Sequence, residues 1–191
     1  AAQLSHKRYP MPRRLLFLLI TLVLAWTGVI ALYGQQTQPP APRVGCRVDS
    51  NKIFTGGSTN FTIFVDQMPP LTAYTLTLFY SPLFVQFTDQ NLDSAEIDLA
   101  PGSAFPANAI TRNVVDPTRS EIQLAVSAPV SSSITGVADV LATGAMQGIG
   151  LGVAQFQFTD TYLLDHKGAA LKRDAYAKEN CWVEVGNSGT P

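Results

Sequence analysis

Residues 15–33 form a run of 19 residues without a single charged side chain. Its most polar members are Thr21 and Thr27. As an α-helix, at about 1.5 Å per residue, this run would extend roughly 28 Å, close to the thickness of the hydrocarbon core of a bilayer. Tyr33 stands at its end, where interfacial aromatic side chains are common. The run therefore predicts one transmembrane helix.

The charges around this run predict its orientation. Residues 1–14 contain four basic side chains and no acidic one, and the next basic residue is Arg43. The positive-inside rule places residues 1–14 in the cytoplasm as a basic tail, and residues 34–191 on the other side of the membrane. We therefore expect a single-pass protein of a bacterial cell membrane with an extracytoplasmic C-terminal domain.

A cleaved signal peptide is the alternative explanation of residues 15–33, since a charged start followed by a hydrophobic core is typical of both. The run is longer than a signal core, and residues 31–34 lack the small-residue pattern of a cleavage site. Both observations favour an uncleaved anchor. Within it, Ala25, Thr27 and Gly28 form a patch of small side chains on which another helix could pack, or which could simply face lipid.

A spacer follows the hydrophobic run. Residues 35–43 contain three prolines and three glutamines, and such a composition favours an extended, semi-rigid chain without an apolar face. We assign residues 34–43 to this Pro/Gln-rich spacer, residues 44–186 to a folded domain and residues 187–191 to a short C-terminal tail.

The charge of the remaining chain restricts its partners. Outside residues 1–14 there are nine basic and 14 acidic side chains, a net charge of −5. A body of this sign does not attract polyanions, so we expect no nucleic-acid binding. Hydrophobic residues make up 46% of the chain, which is enough to bury a substantial core.

Beyond the spacer, hydrophobic residues recur with a period of two, which is typical of β-strands. Further short runs rich in β-forming residues follow, separated by Gly, Pro, Asn and Asp turns. Many short strands predict an all-β sandwich. Residues 169–178 are expected to form a loop or a single helical turn. The predicted strand segments are residues 59–66, 71–80, 83–87, 121–127, 136–144, 150–158 and 181–186.

Three segments resemble cohesin-like modules, which share a jelly-roll β-sandwich with several carbohydrate-binding modules. Residues 53–66 are similar to the family's glycine turn and second strand. Residues 71–89 resemble its hydrophobic strand ending in Tyr-Asp-Pro, although Ser81 here replaces the acid, and residues 137–171 resemble its late hairpin. The resemblance implies a cohesin-like jelly-roll sandwich of about nine strands over residues 44–186.

The two cysteines, Cys46 and Cys181, fall in the first and last strands of such a sandwich. Outside the cytoplasm both would meet an oxidising environment. Since the terminal strands of these sandwiches commonly lie near one another, the resemblance implies a Cys46–Cys181 disulfide. Two free buried thiols are the alternative.

Catalytic and metal-binding patterns are missing from the sequence. Its only histidines are His6 and His166, too few for a zinc site or for an oriented Ser-His-Asp triad. The acidic stretch at residues 89–98 departs from a calcium loop, because Ser94 and Ala100 replace the required Gly and Glu. We predict no catalytic, cofactor-binding or metal-binding residues, and no cofactor.

A sugar-binding platform would require exposed, coplanar aromatic rings. We expect the aromatic residues of the strands, including Phe79 and Trp182, to pack within the domain, with Trp182 covering the disulfide. Phe54, Phe105 and Tyr162 are expected in or near loops, which does not make a platform.

These features predict a non-enzymatic protein. The preferred hypothesis is an accessory or structural subunit of a bacterial membrane complex, for example an energy-converting, electron-transport or photosynthetic one. Its partners would be other subunits of that complex, contacted through the helix and the sandwich, and the lipid bilayer. The alternative is a cell-surface cohesin-type receptor or a carbohydrate-binding or adhesion module, with a dockerin-like or glycan ligand.

Overall fold

The computed structural model describes residues 41–89, 96–129 and 139–187, which form a sandwich of two six-stranded sheets. The predicted transmembrane helix and its patch of Ala25, Thr27 and Gly28 lie outside these residues, as does most of the spacer. Within the described ranges, no helix has the length and hydrophobicity needed to span a bilayer.

Sheet I and sheet II are built from strands that are distant in the sequence. Sheet I has the order β11 (Ala177–Glu179), β1 (Arg43–Val48), β3 (Ser58–Asp66), β9 (Asp139–Gly148) and β5 (Val85–Phe87), and β6 (Ala100–Pro101) also pairs with β9. Sheet II has the order β2 (Lys52–Phe54), β12 (Cys181–Gly186), β10 (Gly152–Asp165), β4 (Leu71–Phe79), β8 (Glu121–Ser127) and β7 (Ile110–Asp116). A 3-10 turn at Ala107–Ala109 precedes β7.

Parallel pairing is confined to two strand pairs, β1 with β11 and β2 with β12. The other ladders of the two sheets are antiparallel. Strand β1 therefore lies beside β11 in sheet I, and β2 lies beside β12 in sheet II.

The expected all-β sandwich is confirmed, and each of the seven predicted segments overlaps a strand. The expectation of about nine strands is too low, because the described residues contain twelve. Strands β2, β6 and β11 span only two or three residues each, too few to show a repeating pattern. Residues 169–178 contain no helix and end in β11.

The core is filled by every second side chain of the strands, as the period of two predicts. A group of four buried rings lies at its centre, and the ring centroids of Phe61 in sheet I and Phe156 in sheet II are 4.7 Å apart. Tyr80 stacks on Phe156 at 6.2 Å, and Phe87 meets Tyr80 edge-on at 5.5 Å. The core extends from Val44 to Val185, so residues 41–187 contain a hydrophobic core of their own.

Two buried tyrosines make this core sensitive to high pH. Burial raises the pKa of Tyr80 to about 12, and the negative charge of Asp116 adds to the effect. Burial also raises the pKa of Tyr74. Both side chains therefore strongly favour the neutral phenol in the folded state.

The predicted disulfide is present between Cys46 in β1 of sheet I and Cys181 in β12 of sheet II. Their Cα atoms are 5.5 Å apart, and 135 residues separate them in the sequence. The chain passes from β11 to β12 through Asn180 alone, whose side-chain oxygen accepts a hydrogen bond from the amide of Phe158. The disulfide and this short crossing join the two sheets.

Removing the disulfide should destabilise the domain. For the double variant Cys46→Ala/Cys181→Ala, we expect the free energy of unfolding to fall by roughly 4–5 kcal/mol, because the unfolded chain loses a long cross-linked loop. Urea denaturation of both proteins measures the difference. As a control, a reductant should weaken the native protein to the level of the variant and leave the variant unchanged. Equal stability of the two proteins would contradict this account.

Alkaline pH should destabilise the domain through Tyr80. Its pKa is about 10 in the unfolded chain and about 12 in the folded protein, so the stabilisation is complete below pH 10 and is lost as the pH rises towards 12. Between pH 9 and pH 12, the free energy of unfolding of Tyr80→Phe should fall by about 2–3 kcal/mol less than that of the native protein. Urea denaturation at both pH values measures this difference. Identical pH profiles of the variant and the native protein would refute the assignment.

Candidate functional site

The outer face of sheet II is one of the two sheet surfaces that face away from the core. On β4 it carries Thr75, Thr77 and Phe79, since Leu76 and Leu78 project into the core. Strands β10 and β8 flank β4 on either side. The register sets their outward side chains in rows across the face.

Three aromatic side chains stand on this face on adjacent strands. Phe79 on β4 is 44% exposed, Tyr162 on β10 is 52% exposed and Trp182 on β12 is 43% exposed. In the register, Gln157 lies opposite Phe79, and Gln155 lies opposite Trp182. Large aromatic rings that protrude from a rigid sheet are typical anchors of protein–protein interfaces.

Polar side chains lie between the rings of this face. The amide of Gln157 donates a hydrogen bond of 2.8 Å to the side-chain oxygen of Gln155, which orders the two amides between the rings. Thr75 and Thr77 add hydroxyl groups on β4. Side chains of this kind can exchange hydrogen bonds with a partner without the cost of burying a charge.

Two ion pairs of charged side chains also lie on this face. Lys52 on β2 lies 3.6 Å from Glu184 on β12, and Arg173 lies 3.7 Å from Asp160. Asp160 lies opposite Thr77 of the central strand β4, between Gln157 and Tyr162 along β10. These pairs are exposed, so they contribute little to stability.

The structure corrects the expectation for the aromatic residues. Phe79 and Trp182 do not pack within the domain but are exposed on the outer face of sheet II, and Trp182 projects to the opposite side of β12 from Cys181. Tyr162 belongs to β10 rather than to a loop, and Phe105 is buried, with its ring 5.7 Å from that of Tyr74. The alternation of side chains along β4 indicates the exposure of Phe79, because it places this residue on the same side of the strand as the threonines.

The outer face of sheet I offers no comparable anchor. Phe64 projects to that face but is buried, with the guanidinium carbons of Arg43 and Arg47 at 5.7 Å and 5.5 Å from its ring centroid. A Cβ on Gly45 would come within 2.6 Å of this ring, so the glycine makes room for it. The two arginines shield the ring from contact with a partner.

A shallow polar hollow of about 400 Å³ lies on the same face of sheet I. Asp49, Asn60, Thr62 and Thr143 contribute polar side chains to its lining. The Asn60 amide already donates a 2.8 Å hydrogen bond to the Asp49 carboxylate. These two groups are therefore already bonded to each other.

His166 lies in an exposed turn after β10. The Asp165 carboxylate of this turn accepts hydrogen bonds of 2.8 Å from the backbone amides of Ala169 and Lys167, which lowers the pKa of Asp165. The described part of the chain contains no cluster of three or more His, Cys, Asp or Glu side chains suited to a metal ion. His6 and Ser94 lie outside the described residues.

No family model matches the sequence, and no curated protein matches it. Solved structures do match the fold. A type II cohesin domain from the cellulosome of Acetivibrio cellulolyticus is 11% identical with a TM-score of 0.64, and the match covers 75% of this chain and 95% of that domain.

Two other similar structures come from different organisms. A non-cellulosomal cohesin from the archaeon Archaeoglobus fulgidus is 13% identical with a TM-score of 0.58, over 76% of this chain and 91% of its own. A type I cohesin–dockerin complex from Clostridium thermocellum matches at 15% identity and a TM-score of 0.60, over 80% of this chain and 99% of the matched chain. The domain therefore has a cohesin-like β-sandwich fold, as the sequence resemblance implies.

Proposed function

We propose that this protein is a non-catalytic, membrane-anchored module that binds a protein partner outside the cytoplasm through the outer face of sheet II. The observation that carries the proposal is the exposure of Phe79, Tyr162 and Trp182 on that face. Large aromatic rings on the surface are costly to leave in water, and they are typical of sites that another molecule covers.

The arrangement of charges on this face supports a protein as the partner. The charged side chains of Lys52, Glu184, Arg173 and Asp160 form two ion pairs beside the aromatic rings. Aromatic side chains among polar groups are common in protein interfaces. A partner that covers the rings would meet these charges already paired.

A dockerin-like domain is the partner class that we propose. Two of the similar structures are cohesins in complexes with dockerins, from Acetivibrio cellulolyticus and Clostridium thermocellum. This fold favours the cohesin-type receptor over the accessory subunit of a membrane complex. The accessory subunit, with a helix contact at Ala25, Thr27 and Gly28, stays a prediction from the sequence.

The proposed anchor is the apolar run of residues 15–33, with residues 34–43 as the spacer. The spacer leads directly into β1, which begins at Arg43. The sandwich would thus stand outside a bacterial cell membrane on a short, semi-rigid tether.

Shortening the aromatic anchors should weaken partner binding. We expect Phe79→Ala and Trp182→Ala each to reduce the affinity for a cognate type I or type II dockerin at least tenfold, since buried aromatic rings dominate such interfaces. Isothermal titration calorimetry of the disulfide-bonded domain against purified dockerins measures this effect. Arg47→Ala, on the outer face of sheet I, is the control and should leave the affinity unchanged.

Other outcomes would reject the dockerin hypothesis. If no dockerin binds and an insoluble polysaccharide retains the protein through Phe79 and Trp182, the ligand is a glycan. If the full chain co-purifies from mild detergent at fixed stoichiometry with multi-span subunits, the accessory-subunit hypothesis is correct.

A further inference from the structure

One end of the sandwich carries a cluster of large apolar side chains in water. We call it the apolar tip, and it consists of residues 53–57, 81–84 and 148–151. Leu83 is 75% exposed, the highest value among the large hydrophobic residues of the described chain. Phe54, Ile149 and Leu151 are also exposed. These four side chains, from the end of β2 and two neighbouring loops, are more than the scattered apolar residues of an ordinary surface.

The sequence of the third loop turns its large side chains outwards. Residues 148–152 are Gly-Ile-Gly-Leu-Gly, an alternation of glycine with aliphatic residues. A Cβ on Gly150 would lie 2.4 Å from the carbonyl oxygen of Leu83, and a Cβ on Gly152 would lie 2.5 Å from the ring of Phe84. The glycines therefore occupy the packed side of the loop and leave the aliphatic side chains in solvent. This reverses the usual alternation, in which the aliphatic residues are buried.

Many backbone amides of the apolar tip donate hydrogen bonds within the protein. The amide of Ile149 donates to the carbonyl of Phe84 at 2.8 Å, and that of Gly56 donates to the carbonyl of Gly148 at 2.8 Å. Backbone groups that already have protein partners can leave water without a large penalty. The tip amides that donate to backbone carbonyls are those of Thr55, Gly56, Gly57, Phe84, Gly148, Ile149 and Gly150.

The apolar tip is also free of charge. Residues 53–65, 67–88 and 140–159 contain no Asp, Glu, Lys, Arg or His, although charged residues make up 14% of the chain. The charged groups of the adjoining strands are paired, Lys52 with Glu184 at 3.6 Å and Arg119 with Asp116 at 3.5 Å. The tip can therefore enter an apolar phase without carrying a charge into it.

We propose that the apolar tip inserts into the interfacial layer of a lipid bilayer. Exposed aliphatic side chains, backbone amides that are mostly bonded within the protein and the absence of charge together suit a lipid surface. A protein interface needs only the first of these, because its rim tolerates charges and its backbone groups can pair with the partner. Since the tip has no basic residue, its binding should depend on hydrophobic insertion and not on anionic lipid.

Vesicle binding tests the insertion directly. The fragment of residues 41–191 contains the core and the disulfide. We expect it to co-sediment with phosphatidylcholine vesicles. The double variant Leu83→Asp/Leu151→Asp should reduce the partition coefficient at least tenfold. The control Tyr162→Asp changes a residue outside the tip that is about as exposed as Leu151 and should have no effect.

Two further measurements make the outcome decisive. Exchanging part of the phosphatidylcholine for phosphatidylserine, or raising the salt concentration, should change the partition less than twofold. A thermal melt verifies folding of the double variant, and Leu83→Ser/Leu151→Ser replaces it if it fails to fold. No sedimentation of the native fragment, or equal sedimentation of the native fragment and the tip variants, overturns the proposal. Dockerin binding that persists in the tip variants separates this result from the proposed function.

Discussion

The packing of two sheets against one another, side chain into side chain, is the interaction on which the rest of the structure depends. Phe61 and Phe87 from sheet I meet Phe156 from sheet II, and Tyr80 closes the group. Because this core takes one side of every strand, the other side of each sheet is left free. The core therefore determines which residues are available for function.

Two surfaces with different chemistry result from this arrangement. The outer face of sheet II presents aromatic rings among amides, hydroxyl groups and ion pairs. The tip presents aliphatic side chains, and many of its amides are bonded within the protein. The first surface suits a structured partner with matching polar groups, and the second suits a fluid, apolar one.

The period of two was sufficient to predict the sandwich and its main strands, and the family resemblance added the pairing of Cys46 with Cys181. Position in the repeat was a better guide to exposure than residue type, as Phe79 shows. The same rule does not explain Phe64, which faces outwards and is nevertheless buried. Phe64 is buried by Arg43 and by other side chains that only the fold brings together, so no local sequence pattern could predict its burial.

The placement of the final strand has a consequence for biosynthesis. Strand β12 does not lie at an edge but between β2 and β10, and it carries the cysteine that pairs with β1. Sheet II therefore lacks the strand between β2 and β10 until the residues of β12 have left the ribosome. Until then, the earlier strands of the nascent chain must be kept from pairing with other molecules, which makes protection by a chaperone valuable.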